Sequence, residues 1–351
     1  QMSGSGRMDC SQGLVRITLL AMLLATLAAC AGAPGQVDVP TPVATPRALA
    51  LPSVLAGMRL FVTDLATGDV AELGAHSYHV AESVHGLGLS NDQRTLYVSD
   101  IAGGQLLAFP LTAAGLGTPH RVKVGIQPVH MAQTRDGRAI YVTNFGAASV
   151  SVVDATSWRV MTTIAVPASP HGIALAPDGR YLYVACVNGG AIAIIDTTTQ
   201  LLAGQIALPP GAHPYGVALS RDGRYLYVPD NFAGRLFTID TATRQLIGET
   251  PIGQAAALII RSSDGNTLYV TNGRSGTVSV LDLRADPAHP RPQATVRVGL
   301  FPHGLTLTPD GRYLVVANNL GDSLSVIATA SDQVVATIAG ERYPNDVIAV
   351  P

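Results

Sequence analysis

Six aspartates, Asp92, Asp136, Asp178, Asp222, Asp264 and Asp310, stand 42 to 46 residues apart, and each is followed four residues later by leucine or isoleucine. The clearest copy around them runs Pro170-His171-Gly172-Ile173-Ala174-Leu175-Ala176-Pro177-Asp178-Gly179-Arg180-Tyr181-Leu182-Tyr183-Val184. Short alternating runs separated by turn residues read as four strands per copy: Gly172 to Ala176, Tyr181 to Cys186, Ala191 to Asp196 and Leu201 to Ala207 in this one. A four-stranded unit recurring every ~40 to 45 residues signifies sheets arranged radially around an axis. A seventh copy is divided between the ends of the chain. Tyr343 to Pro351 matches Phe301 to Pro309, and Gly57 to Val62 supplies the rest. The expected fold is therefore all-β, a seven-bladed β-propeller whose first blade is closed by both termini, which leaves no inner strand edge unpaired.

Tyr141-Val142-Thr143-Asn144 and Tyr269-Val270-Thr271-Asn272 carry the tetrapeptide of the YVTN-repeat β-propellers, and residues 58–351 resemble that family throughout. The resemblance implies a fold far more than an activity. Propellers of this kind resemble surface-layer proteins, nucleic-acid binders, lactonases and cofactor-bearing domains alike.

Net charge is −2 and charged residues make up 13% of the chain, which argues against duplex nucleic acid as a partner, since that needs a basic face. Such an uncharged surface suits an extracytoplasmic protein. Arg7 and Arg16 precede an apolar run from Ile17 to Ala29 that is too short for a membrane span and reads as an export signal. Leu27-Ala28-Ala29-Cys30 resembles the lipobox of bacterial lipoproteins, which implies a leader over residues 1–30, a lipid-modified Cys30 and attachment to a bilayer. Ala31 in the second mature position implies attachment to the outer membrane where the host has one, with the protein in the outer membrane or periplasm. Residues 31–57 hold Pro34, Pro40, Pro42, Pro46 and Pro52 and read as an extended tether, although Leu49 to Leu55 is apolar enough to dock. Beyond the leader cysteines Cys10 and Cys30 only Cys186 remains, so no internal disulfide, haem-attachment motif or paired-cysteine zinc site is expected.

Seven residues before each turn aspartate, at the channel mouth, stand His85, Val129, His171, Tyr215, Ala257 and His303, with Asn345 in the terminal copy. His130 and His213 lie within two residues of that position, so five of nine histidines line one rim. Three readings stay open: His85, His171 and His303 hold copper or zinc, they meet an organic or anionic ligand, or Pro-His-Gly is a structural element of the repeat. The neighbouring loops add Phe145 and Phe232 as contact residues, and Arg235 and Arg274, which either clamp a carboxylate or phosphate or stand as two solvated cations. A lactonase reading wants clustered acids and asparagines, which Asp230, Asp322, Asn318 and Asp346 could supply. A lyase-like reading wants a rim histidine with an acidic partner. The aspartates Asp154, Asp196, Asp240 and Asp282 are spread evenly and read as turn residues.

The combined expectation is a monomeric, lipid-anchored propeller acting as a binding or scaffold module for a small ligand or an envelope protein. The alternative is a channel-mouth enzyme, lactonase- or lyase-like, or a metal-carrying propeller that uses the rim histidines.

Overall fold

In the computed structural model Val347 and Ile348 lie opposite Val62 and Phe61, so the C-terminal strand Pro344–Val350 forms the inner strand of blade 1 beside Arg59–Asp64. The structure describes residues 44–46 and 51–350, all within the unit Pro40–Pro351. The leader, Cys30 and the proline-rich stretch up to residue 43 lie outside the described residues. Seven antiparallel sheets follow one another around the ring, as the repeat requires. Among the described residues no helix is long and apolar enough to cross a membrane.

The stretch expected to run free as a tether is in part built into blade 1. Ala44–Pro46 adds an outermost strand, with Ala44 opposite Tyr78, and Leu55 is fully buried in the apolar layer formed with Val315, Leu324 and Val347. Burying such a leucine contributes about 1.5 to 3 kcal/mol, enough to hold a short segment against the blade.

Most inner strands begin two residues before the alternation suggests, because they open with a β-bulge; in blade 5 the inner strand is only Ala218–Leu219. In blade 4 the strand is Pro170–Leu175, and its register shifts between Pro170, opposite Cys186, and Ile173, opposite Val184. Two residues, His171 and Gly172, therefore face the single residue Ala185. The same shift separates Val84 from Leu87, Pro128 from Met131, Ala256 from Ile259 and Pro302 from Leu305. A bulge re-aims the side chains of its extra residues, here toward the axis.

The second bulge residue is usually glycine for a steric reason. A Cβ on Gly172 would lie 2.5 Å from the carbonyl oxygen of Tyr215 in the next blade, and one on Gly304 would lie 2.5 Å from Cα of Asp346. Opposite each bulge stands the third residue of the Tyr-Val-Thr-Asn tetrapeptide or its equivalent. Where that residue is serine or threonine, its hydroxyl binds two blades together. Thr143 Oγ1 accepts from the backbone N–H of His130 at 3.1 Å and donates to the carbonyl of His171 at 2.8 Å. Thr63, Ser99 and Thr271 do the same toward His85, Val129 and His303. The asparagine that follows is structural. Asn144 and Asn318 are fully buried, each accepting from a loop N–H and donating to two serines of its own blade.

Candidate active site at the channel mouth

Four imidazoles converge on the axis. The ring of His85 lies 5.2 Å from that of His130, 5.3 Å from His171 and 5.6 Å from His303, and His130 and His171 are 4.7 Å apart. The Tyr215 ring packs on His171 at 3.8 Å, and its hydroxyl lies 3.2 Å from Nε2 of His303. One ligand atom from each of His85, His171 and His303 falls within 4.8 Å of the others. Blades 2, 4 and 7 are not neighbours, yet the bulges bring these three side chains together.

Their carbonyls are anchored by the preceding blade's threonine, so the backbone under each imidazole is fixed. Asn345 joins this frame: its Nδ2 donates to the His85 carbonyl at 3.1 Å, and its own carbonyl accepts from His303 Nδ1 at 3.1 Å. The site is dry. All four histidines are buried, and desolvation drives His85 and His171 well below the usual imidazole range, His130 to about 3 and His303 to about 4. Being neutral, each ring carries one bare nitrogen. Nδ1 of His85, Nε2 of His130 and both nitrogens of His171 are buried without a hydrogen-bond partner, and each such atom costs about 1 to 3 kcal/mol when nothing satisfies it.

Beneath this layer the channel widens into a cavity of about 260 Å³ whose wall includes His130, Asp346, Leu87, Met131, Ile173 and Leu305. No lysine or arginine lines it. Asp346 Oδ2 accepts from Leu87 N–H and Oδ1 from Val347 N–H, but burial outweighs these bonds and pushes its carboxyl up to about 7. A carboxyl that titrates near neutrality beside a channel is suited to proton transfer.

The other expected site residues fall elsewhere. His213 packs against Phe232 at 5.3 Å, and Phe232 is 71% exposed. Phe145 is half-buried and meets the edge of the site through His171, 6.2 Å away. Arg235 is no clamp for a ligand: Asp230 holds it at 3.1 Å and Glu249 at 3.2 Å, and it lies over the Phe237 ring. Arg274 is exposed, without Arg235 free to pair with it. Of the acids and asparagines considered for a lactonase, Asp230 is tied to Arg235, Asn318 braces its blade and Asp322 is exposed on a turn, so only Asp346 reaches the channel. Cys186 is fully buried, and burial pushes its thiol up to about 12, which leaves it unreactive. Asp154, Asp196, Asp240 and Asp282 accept backbone N–H groups two or three residues on, as turn residues do.

His130 and Asp346 share one sequence signal. Both stand in the second bulge position, where four other blades have Gly86, Gly172, Gly216 and Gly304. A polar side chain replacing a repeat glycine at the axis marks the two residues that reach the cavity.

A family model described as "Lactonase, 7-bladed beta-propeller" matches residues 56–339. No curated protein matches the chain. Among solved structures, the periplasmic gluconolactonase of Pseudomonas aeruginosa is 20% identical with a TM-score of 0.71, covering 84% of this chain and 99% of that one. A putative 6-phosphogluconolactonase from Bacteroides fragilis is 17% identical with a TM-score of 0.71, covering 86% and 100%. The hydrazine synthase of Kuenenia stuttgartiensis is 22% identical with a TM-score of 0.65, covering 76% and 90%.

Proposed function

The chain belongs to the lactonase family of seven-bladed β-propellers, and from that premise we propose that it hydrolyses an uncharged lactone of the sugar-acid class in the axial cavity beside Asp346. Family membership favours the enzyme alternative over the scaffold expected from composition. The observation that carries the reading is Asp346: a buried carboxyl, raised to about 7, on the wall of an axial cavity that also holds His130.

The chemistry needs a base for water and an acid for the ring oxygen. Ionised Asp346 takes a proton as the water oxygen bonds to the lactone carbonyl carbon. The tetrahedral intermediate then collapses, the bond between carbonyl carbon and ring oxygen breaks, and Asp346 returns to that oxygen the proton it took from water, which restores the carboxylate. The product is the open hydroxy acid. Preference for an uncharged ring follows from a cavity without lysine or arginine, where nothing would balance a phosphate.

In this proposal the enzyme works outside the cytoplasm, held to a bilayer through Cys30. Support comes from the apolar run Ile17 to Ala29 and the motif Leu27 to Cys30, and Cys30→Ser should release the protein from membranes. For the activity, purified full-length protein is offered glucono-1,5-lactone in a pH-stat. Acid release well above the spontaneous rate, lost in Asp346→Asn and weak with phosphorylated lactone, is expected. No acceleration over a panel of uncharged aldonolactones would overturn the reading.

A further inference from the structure

We propose that His85, His171 and His303 form a divalent transition-metal site on the propeller axis, with copper(II) or zinc(II) as the ion. The three carry one ligand atom each within 4.8 Å of the others. Bonds of about 2.0 to 2.1 Å to a tetrahedral ion place nitrogens about 3.4 Å apart, so small side-chain rotations close the set around one ion.

Three observations support an ion over a plain histidine core. The first is the unpartnered nitrogens: His85 Nδ1 and both nitrogens of His171 are buried without a hydrogen-bond partner, which leaves acceptor atoms on two of the three rings for an ion to take up. The second is orientation. His303 Nδ1 donates to the Asn345 carbonyl, which turns the bare Nε2 toward the cluster, the same arrangement by which a carbonyl fixes the tautomer of a metal-bound histidine. The Tyr215 hydroxyl rests on that Nε2 at 3.2 Å, and an ion binding there takes its place as partner of the nitrogen. The third is chemistry: the set offers neutral nitrogen, which suits copper and zinc and disfavours calcium and magnesium, ions that take oxygen.

The site does not rest on the hydrolytic reading. Metal bound by a protein inactive toward lactones would support the site, and lactonase activity in metal-stripped protein would support the function alone.

The test loads chelator-stripped full-length protein with copper(II) or zinc(II), removes excess ion and counts metal per chain. The expected result is about one ion, with a copper(II) paramagnetic resonance spectrum showing hyperfine splitting from three imidazole nitrogens. His85→Ala and His171→Ala should each weaken binding at least about 100-fold, while His213→Ala leaves it unchanged. If the alanine variants fail to fold, the nitrogen count on the parent decides. Retention of zinc alone would support the site and identify its ion. Loss of both ions on removing the excess, a spectrum without nitrogen splitting, or undiminished binding in folded His85→Ala would overturn the proposal.

Discussion

The Tyr215 hydroxyl lies 3.2 Å from Nε2 of His303, so residues 88 positions apart in the chain and two blades apart in the ring determine which nitrogen of one imidazole is bare. The Asn345 carbonyl can only accept, hence Nδ1 carries the proton and Nε2 receives the phenol. Tyr215→Phe removes the donor while preserving the ring stacked on His171. It should lower stability by about 1 to 2 kcal/mol, read as a reduced denaturant midpoint with unchanged slope.

Asp346 links the site to pH. In the folded protein its carboxyl holds a proton up to about 7, against an ordinary value of 3.8, so between these limits the folded state binds the extra proton and this contribution to stability is lost as pH rises. Asp346→Asn cannot ionise. The variant should be less stable than the parent at pH 4, having lost an acceptor for Leu87 or Val347, and the deficit should shrink or reverse by pH 8 at up to about 1.4 kcal/mol per pH unit. A deficit that stays constant with pH would show that the carboxyl is not raised.

The same group shapes the rate. With Asp346 as base, kcat/KM corrected for spontaneous hydrolysis should rise with pH through a midpoint near 7, and Asp346→Asn should reduce it by about 100- to 10,000-fold and flatten the limb.

Thr143 joins blades 3 and 4 under the site. Thr143→Val keeps the shape but strands the His130 N–H and the His171 carbonyl, both buried, and should cost about 2 to 4 kcal/mol in chemical denaturation. Blades 4 and 7 have Ala185 and Ala317 at this position, so Ala185→Thr is the informative partner experiment.

Gly172→Ala would drive a methyl to within 2.5 Å of the Tyr215 carbonyl oxygen and 2.8 Å of Gly216 Cα. Backbone on both sides cannot yield as a side-chain end would, so blades 4 and 5 must part. A loss of more than about 2 kcal/mol is expected, with the melting temperature as readout.

The number of blades, the split first blade and the rim position of His85, His171, His303, Tyr215 and Asn345 were all legible in the sequence. Those features are local and periodic: turn aspartates, alternating strands and a fixed count back to the mouth follow from the geometry of one hairpin and repeat with it. The state of the site was not legible, because it depends on groups from different blades meeting on an axis. Arg235 reads as a free cation until Asp230 and Glu249 are found beside it, and Asn144 reads as a loop residue until its burial against two serines is seen. His130 and Asp346 lie one residue off the rim count, and only the bulge, which turns two consecutive residues inward, carries them into the channel. Desolvation is likewise a property of the closed ring: the same histidine in an isolated blade would face water, and seven blades together leave its nitrogen bare.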